Sequence, residues 1–299
     1  MAELNYRPWR EGDDRALNEI WSDAPSAAAA GRELFRPASD TPWSRTIVAE
    51  DQGIPVAAGV VGEASVHPER LWAYVEVAKD HRQAGVGSTL LAMLRREAAA
   101  GPQAGKPLRA KVATGSAGAA FAASAGLKPI QRSRIVRVRP GALRLGGLAE
   151  DSGQQVEDLA TGSVELTRAL WDFYTAVHTW DPPADLGLGR VNQLFLSEGA
   201  GAHGAVVLRE QGAIKAFAIS YSLPAADAPE DAAADVLLGY DTTAPGTEAA
   251  VEKLLALLVH RYPVELELDD SMTALAAVVD PLIAAGTADV LSETLVVSE

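Results

Sequence analysis

Residues 75–91 read Val75-Glu76-Val77-Ala78-Lys79-Asp80-His81-Arg82-Gln83-Ala84-Gly85-Val86-Gly87-Ser88-Thr89-Leu90-Leu91 and hold the residue types best suited to grip a ligand. The pattern predicts the end of a strand, an Arg-x-x-Gly-x-Gly loop, and an amphipathic helix that begins in the second half of that loop. Glycines there let the backbone curl close to a ligand, the first-turn N–H groups of the helix lack partners within it, and the helix dipole favours negative charge. A pyrophosphate fits this arrangement. The third glycine of the dinucleotide fingerprint and the Lys-Ser/Thr of a P-loop are both missing, so neither motif describes the loop. A tight strand-to-helix turn with no ligand is the structural alternative.

The elements that must position this loop follow from periodicity and turn residues. In the first half the sequence predicts helices over 10–22, 85–99 and 116–125 and strands over 46–50, 55–62, 71–77, 108–113 and 130–138. Val86, Leu90, Leu91 and Leu94 form one apolar face of the 85–99 helix. A glycine-bearing acidic stretch, 141–155, reads as a linker. The second half repeats the plan loosely, with helices over 164–178, 247–260 and 272–285 and strands over 204–209, 214–221, 235–240 and 264–268. The expected fold class is α/β (α+β), with two tandem domains over 1–140 and 156–299, each a mixed central β-sheet flanked by helices.

Charge divides the same way. The net charge of −14 conceals 20 Lys and Arg against 15 Asp and Glu in residues 1–149, and 6 against 25 in residues 150–299. A polyanionic ligand therefore belongs in the first half, and the acidic half would repel nucleic acid and anionic membranes, so neither is an expected partner. The chain has no cysteine, which excludes disulfides, thiolate zinc sites, iron–sulfur clusters and a cysteine nucleophile. No metal is expected. Without a membrane-length apolar run or a leader-like start, the expected location is cytoplasmic.

The strand, the Arg82-Gln83-Ala84-Gly85-Val86-Gly87 loop and the Leu90-Leu91 helix resemble the acetyl-coenzyme A motif of the GNAT (GCN5-related N-acetyltransferase) superfamily. The element order over residues 4–139 fits that superfamily too, and in the second half the architecture alone is similar, as in tandem members. The resemblance implies two GNAT-like domains, the second degenerate, with acetyl-coenzyme A as cosubstrate. Arg82, Gln83, Ala84, Gly85, Val86, Gly87 and Ser88 would hold its pyrophosphate. Val75 and Val77 would line the pantetheine arm through strand-like backbone bonds, together with Phe121. The implied reaction is direct acetyl transfer from the thioester to an amine of a small molecule or peptide. A strand N–H would stabilise the oxyanion, worth about 3 kcal/mol for one well-placed donor.

Departures from the family pattern concern the acid and the base. The helix before the last strands in the family often reads Asn-x-x-Ala-x-x-Leu-Tyr-x-x-x-Gly-Phe. Anchored on Gly126-Leu127, Phe121 takes the Leu position and Ala122 the Tyr position, so the usual thiolate-protonating phenol is missing. Tyr74, Ser124 and Ser116 are the nearby hydroxyls. Glu76 and Glu63 rank first as general base, ahead of His67, which reads as a turn residue, and His81. Alternation puts Glu76 on the face opposite Val75 and Val77. In the second half the corresponding loop, 238–248, contains Asp241, Glu248 and Pro245, two charges that repel phosphate and a residue without an N–H. Arg132, Arg134, Arg137 and Arg139 read as a strand face that meets the acidic half. The expected activity is that of an acetyl-coenzyme A-dependent N-acetyltransferase. The missing phenol leaves a non-catalytic acyl-coenzyme A sensor or interaction scaffold as the alternative.

Overall fold

The computed structural model describes residues 4–21, 31–146, 153–221 and 232–299. They fall into two compact units, Met1–Ile130 with Asp181–Ala184 and Thr294–Glu299, and Gln131–Trp180 with Asp185–Glu293.

The first unit contains β1 (Asn5–Pro8), α1 (Asp13–Ile20), β2 (Ser39–Asp40), β3 (Trp43–Asp51), β4 (Ile54–Glu63), β5 (Leu71–Val77), α2 (Val86–Ala100), β6 (Leu108–Ala113) and α3 (Ala117–Ser124). Its strands lie in the order β1-β3-β4-β5-β6, with β2 on β3. The β3–β4 hairpin turns at Gln52 and Gly53, both with positive φ (50° and 83°), the backbone that matches the twist of paired strands. Val86, Leu90, Leu91, Leu94 and Ala98 of α2 are buried in one cluster with Ile47, Ala57, Val61 and Ala73 of the sheet. This is the apolar face legible in the sequence, and each large side chain contributes roughly 1.5–3 kcal/mol. Leu17 of α1 packs with Trp21, Val48, Val56 and Ala58 on the other face.

The second unit contains most of β7 (Lys128–Val138), then β8 (Gln154–Asp158), α4 (Val164–Val177), α5 (Leu188–Phe195), β9 (Gly204–Glu210), β10 (Ala213–Ser220), β11 (Ala234–Tyr240), α6 (Thr247–Leu258), β12 (Val264–Asp269) and α7 (Thr273–Ala284). Its strands run β7-β12-β11-β10-β9-β8, and β11 and β12 are parallel. Strand β8 starts inside the stretch expected as a linker, of which 147–152 lie outside the described residues.

Strand β13 (Ala288–Ser298), which the sequence reading did not foresee, changes the first unit. Its Thr294–Ser298 portion pairs antiparallel with β6. The strand expected to close the first sheet, β7, instead pairs with β12. Arg132, Arg134, Arg137 and Arg139 meet Asp270, Asp280, Glu265 and Asp289 within the second unit. Among the described residues no helix is long and apolar enough to cross a membrane.

Asp181 anchors its four-residue segment in the first unit. Its side chain is fully buried; Oδ1 accepts from Arg70 at 2.7 Å and Oδ2 from Arg109. The Arg109 guanidinium lies 4.1 Å from the Trp72 ring centroid. His67 is a buried member of this cluster rather than a simple turn residue, with Nδ1 2.6 Å from the Asp181 carbonyl oxygen. Burial and the Arg109 charge hold its pKa below the usual value, outweighing that hydrogen bond. The neutral ring is the folded form, so its contribution is complete above the unfolded pKa of about 6.5 and is lost as pH falls below it. Urea midpoints should therefore drop between pH 7.5 and pH 5.5, and drop less in His67→Gln. An equal drop in both proteins would remove His67 as the source.

Candidate functional site

Strands β5 and β6 are parallel, yet their ladder covers just Leu71↔Leu108 and Trp72↔Arg109. The N–H of Leu71 donates toward β6, to the Pro107 carbonyl. Strand alternation turns the N–H groups of Ala73, Val75 and Val77 the same way. Among the described residues the later part of β5 thus presents a free backbone edge. Its far end is tied down by Ala78, whose N–H donates to the Val56 carbonyl at 2.8 Å, and by Arg82, whose Nε donates to the Val77 carbonyl at 2.9 Å.

The chain then turns through Lys79–His81 and two positive-φ residues, Gln83 and Gly85 (60° and 82°), before α2 begins. Gly85 is the N-cap and supplies no side-chain acceptor. The N–H groups of Val86, Gly87 and Ser88 consequently point out of the helix with no partner inside it. At Gly87 a Cβ would stand 3.5 Å from the Phe121 ring and 3.7 Å from Val77, so Val77, Gly87 and Phe121 meet. The structure brings together the β5 edge at Val75 and Val77, the loop Arg82–Ser88 and Phe121. Unpaired donors, a helix N-terminus, and the cations of Lys79 and Arg82 make this corner attractive to a polyanion.

The side chains considered for proton transfer are dispersed. Glu63 pairs in register with Leu71, at the opposite end of β5 from the loop, about 16 Å from Glu76 by strand rise. It accepts from the Trp43 N–H at 2.7 Å and from the Gln103 amide, a structural role. Ser124 is exposed and donates to the Phe121 carbonyl at 2.7 Å. Ser116 caps α3, accepting from Ala119 N–H at 3.1 Å. His81 bonds Asp51 at 3.0 Å. Ala122 is 5% exposed and packed into the α2 core, while Phe121, one residue earlier, is the side chain beside the loop.

Glu76 and Tyr74 share a face of β5. The Tyr74 hydroxyl donates to Glu76 Oε2 at 2.8 Å, and burial, then the Glu76 charge, push its pKa up, so the phenol stays a neutral donor. Arg32 grips the same carboxylate twice, Nε to Oε2 at 2.9 Å and Nη2 to Oε1 at 2.6 Å. The two side chains are 17% and 13% exposed. Sequence reasoning missed Arg32. Nothing near it in the chain marks an arginine whose partner lies 44 residues away.

The corresponding turn of the second unit is self-satisfied. Asp241 Oδ1 accepts from the Thr243 N–H and hydroxyl at 3.0 and 2.7 Å, and Thr247 Oγ1 donates to the Asp241 and Ala244 carbonyls. A nearby cavity of about 320 Å³ beside Gly246 and Thr247 is lined by both Lys215 and Glu210, a mixed charge that does not select an anion.

No protein-family model matches the sequence, and no curated protein aligns with it. Solved structures do match over nearly the whole chain. A GCN5-related N-acetyltransferase from Sphaerobacter thermophilus superposes with a TM-score of 0.62 at 14% identity, covering 99% of this chain and 95% of that one. A tandem GNAT protein from the clavulanic acid biosynthesis pathway gives 0.58 at 16% identity, covering 99% and 98%. Eis1 from Mycobacterium abscessus gives 0.52 at 13% identity, covering 98% and 73%. The free β5 edge, the glycine loop and the chain-length superpositions lead to one conclusion: this chain has the fold of the GCN5-related N-acetyltransferases.

Proposed function

We propose that the protein is an acyltransferase that moves the acetyl group of acetyl-coenzyme A to an amine of a small molecule or peptide. The observation that carries this reading is the unpaired β5 edge running into the bare N-terminus of α2. N–H groups of Gln83–Ser88 would take the pyrophosphate, and the Val75 and Val77 backbone would pair with the pantetheine amides as an added strand does. Phe121 and Val77 form the apolar wall. An outward N–H of β5 would polarise the thioester oxygen, and Glu76 would accept the proton of the attacking amine. A thiol with a pKa of roughly 8.5 leaves as thiolate near neutral pH, so the absence of a phenol at Ala122 or Phe121 does not stop the reaction. The second unit, with its closed Asp241 turn, would bind no coenzyme A.

A second reading, an acyl-coenzyme A sensor without turnover, is favoured by one observation: the Glu76 carboxylate is already paired with Arg32. Calorimetry with acetyl-coenzyme A, followed by thiol release against a panel of primary amines, separates the two. One site per chain with amine-dependent release supports the transferase. Tight binding with no release under any amine supports the sensor, and no binding defeats both.

A further inference from the structure

The surroundings of Glu76 are those of a site for an organic cation. Arg32 lies 5.0 Å from the Trp21 ring centroid; Trp21 and Phe35 are 5.5 Å apart, and Phe35 and Tyr74 5.4 Å. A carboxylate with aromatic faces beside it attracts a cation through both its charge and the ring quadrupoles. At present the cation is the chain's own. Its delivery depends on Gly31, where any Cβ would fall 2.5 Å from the Tyr74 ring; without a side chain the backbone lies against that ring and Arg32 reaches the carboxylate. Among the described residues, Trp21 Nε1 beside Arg32 is buried with no hydrogen-bond partner.

Resting on the transferase reading above, we infer that Arg32 is an internal stand-in for the acceptor, and that the acceptor is a primary alkylammonium ion with an apolar or aromatic body that displaces Arg32 from Glu76. On displacement one ammonium proton passes to Glu76. The amine lone pair forms the C–N bond as the C–S bond breaks, the thiolate keeps the electron pair of that bond, and the second nitrogen proton goes to the thiolate or to water. Arg32 thus sets specificity, because an acceptor without a cation cannot compete for the carboxylate.

The test uses the full chain as wild type, Arg32→Ala and Arg32→Lys, with phenethylamine as acceptor probe and methylguanidinium chloride as mimic of the missing side chain. Arg32→Ala should lower the KM for phenethylamine at least tenfold with acetyl-coenzyme A affinity unchanged, and Arg32→Lys should fall between it and wild type. Methylguanidinium at millimolar concentration should raise the Tm of Arg32→Ala and compete with phenethylamine, while neutral N-methylurea should do neither. An unchanged or higher KM in both variants with acetyl-coenzyme A still bound overturns the inference. So does a methylguanidinium effect no larger than that of N-methylurea. If wild type fails to bind acetyl-coenzyme A, the transferase reading falls, and the methylguanidinium measurement still decides whether the pocket is a cation site. If Arg32→Ala does not fold, the KM of Arg32→Lys decides.

Discussion

Replacing Gly85 and Gly87 together by valine should weaken acetyl-coenzyme A binding at least a hundredfold while leaving the protein folded. The two positions act differently. Gly85 holds φ at 82° as the α2 N-cap, and a β-branched residue there costs on the order of 1–3 kcal/mol or shifts the turn, misaiming the N–H groups that follow. No atom lies within 4 Å of a Cβ at Gly85, so the effect is conformational and not a clash. At Gly87 a Cβ would make ordinary contact with Phe121 and Val77, so the methyls of a valine would crowd the corner where the proposed cofactor meets the loop. The buried face of α2 is elsewhere, at Val86, Leu90, Leu91 and Leu94. Calorimetry and thermal melting on the same samples check both halves of the expectation. Wild-type affinity in the double variant would refute the assignment of this loop.

A fragment of residues 1–147 should be insoluble or lack a cooperative melt. It loses the Thr294–Ser298 portion of β13, baring the backbone of β6, and an unpaired sheet edge is a template for aggregation. It also loses Asp181, which is fully buried between Arg70 and Arg109. Arg109 is 2% exposed, and a buried charge stripped of its partner costs about 3–5 kcal/mol. That is a large share of a domain's net stability. Expression of the fragment followed by gel filtration and circular dichroism decides the matter. A soluble monomer that melts cooperatively would show that the first unit does not need either segment.

What local sequence determines here is set by short-range physics. The Val86, Leu90, Leu91, Leu94 stripe, the Gln52-Gly53 turn and its counterpart Gln211-Gly212 between β9 and β10, all four turn residues at positive φ, and the strand-loop-helix around Gly85 are each specified within a few residues, by helical period, positive-φ tolerance or capping. Strand 71–77 and strand 108–113 were therefore legible to the residue, and the glycine-bearing strand-to-helix turn with them. A tight strand-to-helix turn with free N–H groups is a local object.

Tertiary structure alone decided which partners those elements took. Strand β13 was not expected although Leu295-Val296-Val297 is an apolar run, because a short continuous apolar run lacks the period-two alternation that marks a strand. Its pairing with β6 joins Thr294–Ser298 to Arg109–Ala113, and β7 carries arginines bonded to carboxylates of and just after β12, more than a hundred residues away. Phe121 stands beside Gly87, on the side expected of it, while Ala122, aligned to the family's phenol, is packed into the core: an alignment by spacing does not fix which side of a short alanine-rich helix faces the core. Glu76 could be placed on a strand face from alternation, but its bond to Arg32 spans 44 residues and leaves no periodic trace. Backbone conformation is written in neighbouring residues, whereas the charge state and accessibility of a site depend on side chains that only the folded chain brings within hydrogen-bonding distance.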